Sequence, residues 1–381
     1  MDNQRNLLIR AALALVGMFV LMETSDNEPY YSDGGKATLA RFLLNKARPE
    51  LFREVTSLER PTFDALVTTT RCGKLLLNTI VDCLLYKGMP CHSQLHYIMH
   101  NMCADEFGPK YFHDVLDALV SLYPKYVNLN STGGTPERLL DPKYEPFKKC
   151  LGALAGVFIP ATIPADQQAP YRNRKGFIAQ NVLAVVNFNF EFVYLLAGWE
   201  GSAHDGTVLA DTFQKDFVIP HGKFYLADAG YGLQKGILTP FRAVRYHLKE
   251  QARAGLRPAN PKELYNLRHA SLRNMVERIF GCMKAKFKVL RSPGEHHINR
   301  QVQLVYALAV LWNFTRRHQQ LDDDEVLEDD NDEESASTAA AAVGTAPQRR
   351  TKWDNKAMKG KRLSLAAKLW AQYRVYLAGR D

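Results

Sequence analysis

The chain has 381 residues, 46% of them hydrophobic, enough to bury a sizeable core and to make more than one folded domain. Its six cysteines are scattered without a Cys-x-x-Cys pair, which excludes a disulfide-built scaffold and points to free thiols in a reducing compartment. The formal charge is +9, yet ten carboxylates and no basic residue fall between Asp322 and Glu334; the other 30 acidic residues face 49 Lys and Arg, a surplus that favours a polyanionic partner such as nucleic acid.

Taken in order, the chain opens on an apolar run of twelve, Ala11 to Met22, behind Arg5 and Arg10. Twelve residues fall short of the roughly twenty a spanning helix needs. The polar Glu23-Thr-Ser-Asp-Asn-Glu28 that follows is no cleavage site, so the run reads as a buried helix and no membrane association is expected. Residues 38 to 128 read as helical, with breaks at Gly88-Met-Pro90 and Gly108-Pro109. Gln94 to Asn101 and Tyr111 to Leu122 have the length of a helix-turn-helix, and a plain helical bundle is the alternative. Lys110 is the one Lys or Arg between Gln94 and Leu119, which is thin for a major-groove reader. His92, His96 and His100 follow one helix face near Cys91 and Cys103; without a Cys-x-x-Cys knuckle they read as hydrogen-bonded histidines rather than zinc ligands. A helical domain over 1–130 is expected, bounded by Ser131-Thr-Gly-Gly-Thr-Pro136.

A second domain is expected over 140–318. Gly176 to Phe190 and Phe192 to Ala197 form a hairpin-like pair of apolar strands, preceded by a loop carrying Arg172, Arg174 and Lys175. Ser202, His204 and Asp205 are too close in sequence for a nucleophilic triad, and Asp205 suits the N-cap of a helix starting near Asp205-Gly-Thr207. Phe224-Tyr-Leu-Ala-Asp-Ala-Gly-Tyr231 reads as a short buried strand that ends at Asp228. From Thr239 to Asn266 basic residues including Arg245 alternate with aromatics, a pattern suited to tracking a nucleic-acid strand. Leu272, Met275, Val276, Ile279, Phe280, Met283 and Phe287 then mark one face of an amphipathic helix, with Glu277 off that face among Arg273, Arg278 and Lys284. A strand-end Asp228 and a helix Glu277 suit a shared divalent cation. Spacing alone favours an ordinary surface Glu paired with Arg273 or Arg278.

Residues 319–348, acidic and then Ala-rich, read as a disordered linker. Residues 349–381 form a basic tail with a terminal helix over Leu363 to Leu377 that docks on a partner or on the chain itself.

Four blocks in order, Tyr171-Arg-Asn-Arg-Lys-Gly176, Gly198-Trp-Glu-Gly-Ser-Ala-His-Asp205, Asp228-Ala-Gly-Tyr231 and Asn266 to Gly281, resemble the DDE endonuclease domain of PIF/Harbinger-type transposases and their domesticated derivatives. The resemblance implies an RNase H-like α/β fold, and three carboxylates that bind two Mg²⁺ or Mn²⁺ ions for cleavage of DNA phosphodiesters. It implies Asp228 as the second carboxylate, Glu277 as the third and Asp205 as a supporting position. DNA contacts are then expected from Arg172, Arg174, Lys175, Arg245, Arg273 and Lys284, with a separate DNA-binding protein as partner, a homo-oligomer and a nuclear location. The first carboxylate departs from the pattern. Family members read Cys-hydrophobic-Gly-Ala-hydrophobic-Asp-Gly-Thr-His-Ile, whereas here Ala155 stands for the Asp and Phe158 for the His in Cys150-Leu-Gly-Ala-Leu-Ala-Gly-Val-Phe-Ile159. A methyl group cannot ligate a metal, so impaired cleavage is expected, with Asp166 or Asp205 as substitutes. The competing expectation is a non-catalytic DNA- or chromatin-binding protein.

Overall fold

The computed structural model describes residues 49, 59–69, 108–129, 136–244, 257–291, 296–318 and 355–379. The apolar run at 11–22, the histidine ladder, Arg245 and the acidic linker lie outside those residues. In chain order the elements are α1 (Arg60–Thr69), α2 (Gly108–Ser121), α3 (Tyr123–Tyr126), β1 (Cys150–Pro160), α4 (Gln168–Tyr171), β2 (Ala179–Asn187), β3 (Phe192–Glu200), α5 (Asp205–Lys215), β4 (Phe224–Leu226), β5 (Ile237–Leu238), α6 (Pro261–Lys286), α7 (Ile298–His318) and α8 (Lys356–Ala378). No described helix is long and apolar enough to cross a membrane. The chain divides into two compact units, one from residues 1–126 with 283–321 and one from 127–282 with 322–381. The expected segments 140–318 and 349–381 are thus distributed, with α7 in the first unit and α8 in the second.

In the first unit α7 is the packing centre for α1, α2 and α3. Its buried Val305, Leu308, Ala309, Leu311 and Trp312 recur at three- and four-residue steps, the stripe that a core-facing helix needs. Tyr306 meets Tyr123 edge-on at 5.1 Å, and Phe314 meets Tyr126 at 5.2 Å. The Tyr126 carbonyl, left over at the end of α3, accepts from Asn313 Nδ2 at 2.9 Å and from Arg317 at 3.0 Å.

The second unit is built on a sheet of order β3-β2-β1-β4-β5. The pairs β1–β2 and β2–β3 are antiparallel, as the hairpin pattern predicts, while β1–β4 and β4–β5 are parallel. Every residue of β2 is buried, which explains the apolar run from Val182 to Val186: both faces of the strand are covered. Leu154, Leu183 and Val185 pack on one face with Val208 and Leu209 of α5. On the other face Phe192 meets Phe280 of α6 edge-on at 5.5 Å. Side chains alternate along a strand, so Ala155, paired with Ala184, lies on the face opposite to Leu154. The pairing Ala153 with Leu226, continued by two residues, brings Ala155 abreast of Asp228.

Small residues let the neighbours of β1 come close. At Gly152, where the β1–β4 register shifts, a Cβ would collide with the Val186 carbonyl oxygen across the β1–β2 pair. The terminal helix α8 docks on the chain itself, with Met358, Leu365, Ala366 and Leu369 buried. Its start is fixed by Asn355, whose side chain accepts from Ala357 N at 2.9 Å and whose own N–H donates to Leu233 O at 2.7 Å. Arg362 donates to Pro240 O at 2.8 Å and lies 4.3 Å from the Phe241 ring centroid; Lys361 lies 4.3 Å from that of Phe224.

Gly152→Ala is expected to force β1 and β2 apart and to cost about 1–3 kcal/mol or more. Urea denaturation followed by circular dichroism measures the loss, and an unchanged midpoint contradicts the packing described.

Candidate functional site

Parallel pairing brings the carboxyl end of β4 beside the middle of β1, and the chemistry collects there. Asp228 leaves β4 and caps the following 3₁₀ turn, Ala229–Tyr231, its Oδ1 accepting from Gly230 N at 2.7 Å. Asp205 is the first residue of α5; the N-cap is His204, one residue earlier than the sequence suggests. His204 offers no capping bond because its ring is engaged elsewhere, with Nδ1 2.7 Å from Arg174. As the opening residue, Asp205 sits where free helical N–H groups favour negative charge.

Two glycines show how closely the polar groups converge. A Cβ placed on Gly230 would lie 3.0 Å from Asp228 Oδ1 and 3.1 Å from Asp205 Oδ2. A Cβ placed on Gly156 would lie 2.9 Å from the Tyr231 hydroxyl, 3.1 Å from Asp205 Oδ1 and 3.2 Å from Asn181 Oδ1. Asp205 therefore faces two small recesses, one shared with Asp228 and one with Asn181 and Tyr231. Burial raises the Asp205 pKa to about 6, and the Asp228 charge adds to the shift; Arg174, a hydrogen bond with Asn181, and Arg273 oppose it. Burial also pushes the Tyr231 phenol well above its ordinary value, and the two carboxylates push it further.

Glu277 sits on α6 one turn from Arg273, whose Nη2 donates to Glu277 Oε1 at 2.6 Å. That side chain of Arg273 is 6% exposed against 29% for Glu277, so the pair is largely withdrawn from water. Of the two readings that the spacing allows, the ion pair is the contact observed. Among the described residues no group of three or more His, Cys, Asp and Glu is gathered as a metal site. The structure thus unites Asp205 with Asp228 and leaves Glu277 with Arg273.

Arg172, Arg174 and Lys175 are exposed on their loop, with Arg172 also donating to Gly176 O at 2.7 Å. Asp166, the other substitute named for the missing carboxylate, is exposed on a 3₁₀ turn of its own, Ala165–Gln167. Lys284 falls in the first unit. Sequence reasoning missed Asn181, Tyr231 and Arg242, whose Nη2 donates to Ala229 O in the turn after Asp228 at 2.8 Å. Asn181 was visible as a polar residue inside an apolar strand, and Tyr231 as the end of the Asp228 block.

The donor set suits a hard divalent cation. Mg²⁺ is commonly held by one or two carboxylates, with water and substrate phosphate completing its shell, and here two carboxylates crowd one recess beside a carboxamide oxygen and a phenol. Residues 154–313 match a family model described as DDE superfamily endonuclease. None of the curated proteins and none of the solved structures matches the chain. The mixed sheet with its helices fits a DDE nuclease domain, and the match supports a nuclease family of transposase origin, one that generally uses divalent metals.

Folded Asp205 keeps its proton to about pH 6, whereas an ordinary Asp releases it near 3.8. The folded state therefore binds more protons across that interval, and this group's contribution to stability falls as pH rises through it. Asp205→Asn removes the effect: in chelator-containing buffer its melting temperature should gain on the wild type from about pH 4 to 6 and stay higher at pH 7. Parallel melting curves of the two proteins would contradict the assignment.

Proposed function

We propose that the second unit carries a nuclease core of the PIF/Harbinger transposase lineage, acting on DNA, with cleavage impaired by Ala155. The observation that carries this reading is the convergence of Asp205, at the start of α5, with Asp228, just beyond the carboxyl end of β4. The sheet order, three antiparallel strands followed by two parallel ones, supports an RNase H-like arrangement. Asp205, Asp228 and Glu277 are the residues to hold Mg²⁺ or Mn²⁺, which when bound neutralises phosphate charge and activates water. Arg172, Arg174 and Lys175 position the DNA backbone from their exposed loop. Cleavage is impaired for two reasons: the methyl of Ala155 offers no ligand, and Glu277 must loosen its bond to Arg273 before it can serve as one.

A second reading, a domesticated DNA- or chromatin-binding protein without catalysis, is favoured by that same ion pair. In both readings the protein works in the nucleus, as a homo-oligomer, beside a partner protein that supplies sequence recognition.

Plasmid nicking in Mn²⁺ separates the two. The wild type should nick weakly, Ala155→Asp about tenfold faster or more, and Asp228→Ala in that background not at all. Retained DNA binding with no gain from Ala155→Asp selects the binder. Loss of neither nicking nor metal binding on Asp228→Ala would overturn the site.

A further inference from the structure

The two oxygens of Asp205 face two different recesses, and only one of them contains Asp228. We propose that Asp205, Asn181 Oδ1 and the Tyr231 hydroxyl form a divalent-cation site beside Gly156, on the face of the sheet opposite to Ala155. This inference rests on the reading of the acidic pair as a cation site, and it adds two neutral oxygens that no carboxylate pattern contains.

Three observations support it independently of charge. The Tyr231 side chain is fully buried, yet its hydroxyl has no hydrogen-bond partner among the described residues. Leaving such a group unsatisfied costs about 1–3 kcal/mol, so its persistence calls for a ligand. Asn181 is 1% exposed on β2; its Nδ2 donates to Ala203 O at 3.4 Å, which fixes the carboxamide with Oδ1 toward the recess. The β1–β2 register pairs Asn181 with Phe158, two positions beyond Gly156 and so on the same face of the sheet. Gly156 itself keeps the recess open, because a Cβ there would stand within 3.2 Å of all three oxygens. Hard oxygens from a carboxylate, a carboxamide and a hydroxyl are the donors that Mg²⁺ and Mn²⁺ take.

The test is calorimetric titration of the full chain with MnCl₂, with circular dichroism to verify folding. Asn181→Ala and Tyr231→Phe should each weaken Mn²⁺ binding about tenfold. Gly156→Ala should abolish binding in its recess, and Asn181→Asp, which adds a carboxylate oxygen, should tighten it. Tyr231→Phe keeps the shape of the buried ring, so it and Asn181→Asp carry the test if Asn181→Ala does not fold. Wild-type affinity in all four variants, alongside a loss on Asp228→Ala, overturns this inference and leaves the acidic pair standing as a site. No Mn²⁺ binding by the wild type overturns the cation reading as a whole.

Discussion

The repulsion between Asp205 and Asp228 is the constraint to which the rest of the second unit answers. Two carboxylates meet at one recess in a half-buried place, where their charges are only partly screened by water. The fold tolerates this through several small offsets. Asp205 opens a helix, Arg174 and Arg273 lower its pKa, and Asp228 accepts from the backbone N–H of Gly230. None of these would be in reach without the small residues of β1. Gly152 allows β2 to approach, and Gly156 and Gly230 leave the volume into which the oxygens point.

Local periodicity made much of this fold legible. The strand that leads to Asp228, though it ends at Leu226, the β2–β3 hairpin and the helix that carries Glu277 all follow from patterns confined to a dozen or so residues. The company of Asp228 was not legible, because Asp205 meets it through the packing of α5 against the turn that follows β4, a tertiary contact that no local pattern encodes. The misplaced N-cap has a physical cause. Asp is a better cap than His, but here the backbone of His204 is extended and its ring turns to Arg174, so the helix starts one residue earlier, at Asp205 itself. Residues that break a local preference in this way gather where function is expected.

The basic tail shows the same limit from the other side. Charge runs in the sequence suggest phosphate contact or nuclear import, and composition cannot tell which lysines face outward. Lys361 and Arg362 face the body of the unit, over the rings of Phe224 and Phe241 and against backbone carbonyls. Burial and the nearby Lys149 lower the Lys361 pKa, which marks an ammonium held among like charges rather than one free in solvent. Lys356, Lys359 and Lys368 remain exposed on α8 and are the members of that run able to meet a polyanion.

Charge balance links the acidic residues to the arginines around them. Asp205, Asp228 and Glu277 carry three negative charges when ionised, and Arg174 and Arg273 supply two positive ones in their neighbourhood. The cluster is therefore close to neutral before any cation arrives. A divalent ion entering it must compete with Arg273, whose guanidinium is nearly buried and would be left without its carboxylate if Glu277 turned away. On the function proposed, the arginine that pairs with Glu277 in the folded chain is thus also what would oppose a three-carboxylate metal centre, and Ala155 would offer no ligand to tip that competition toward the metal.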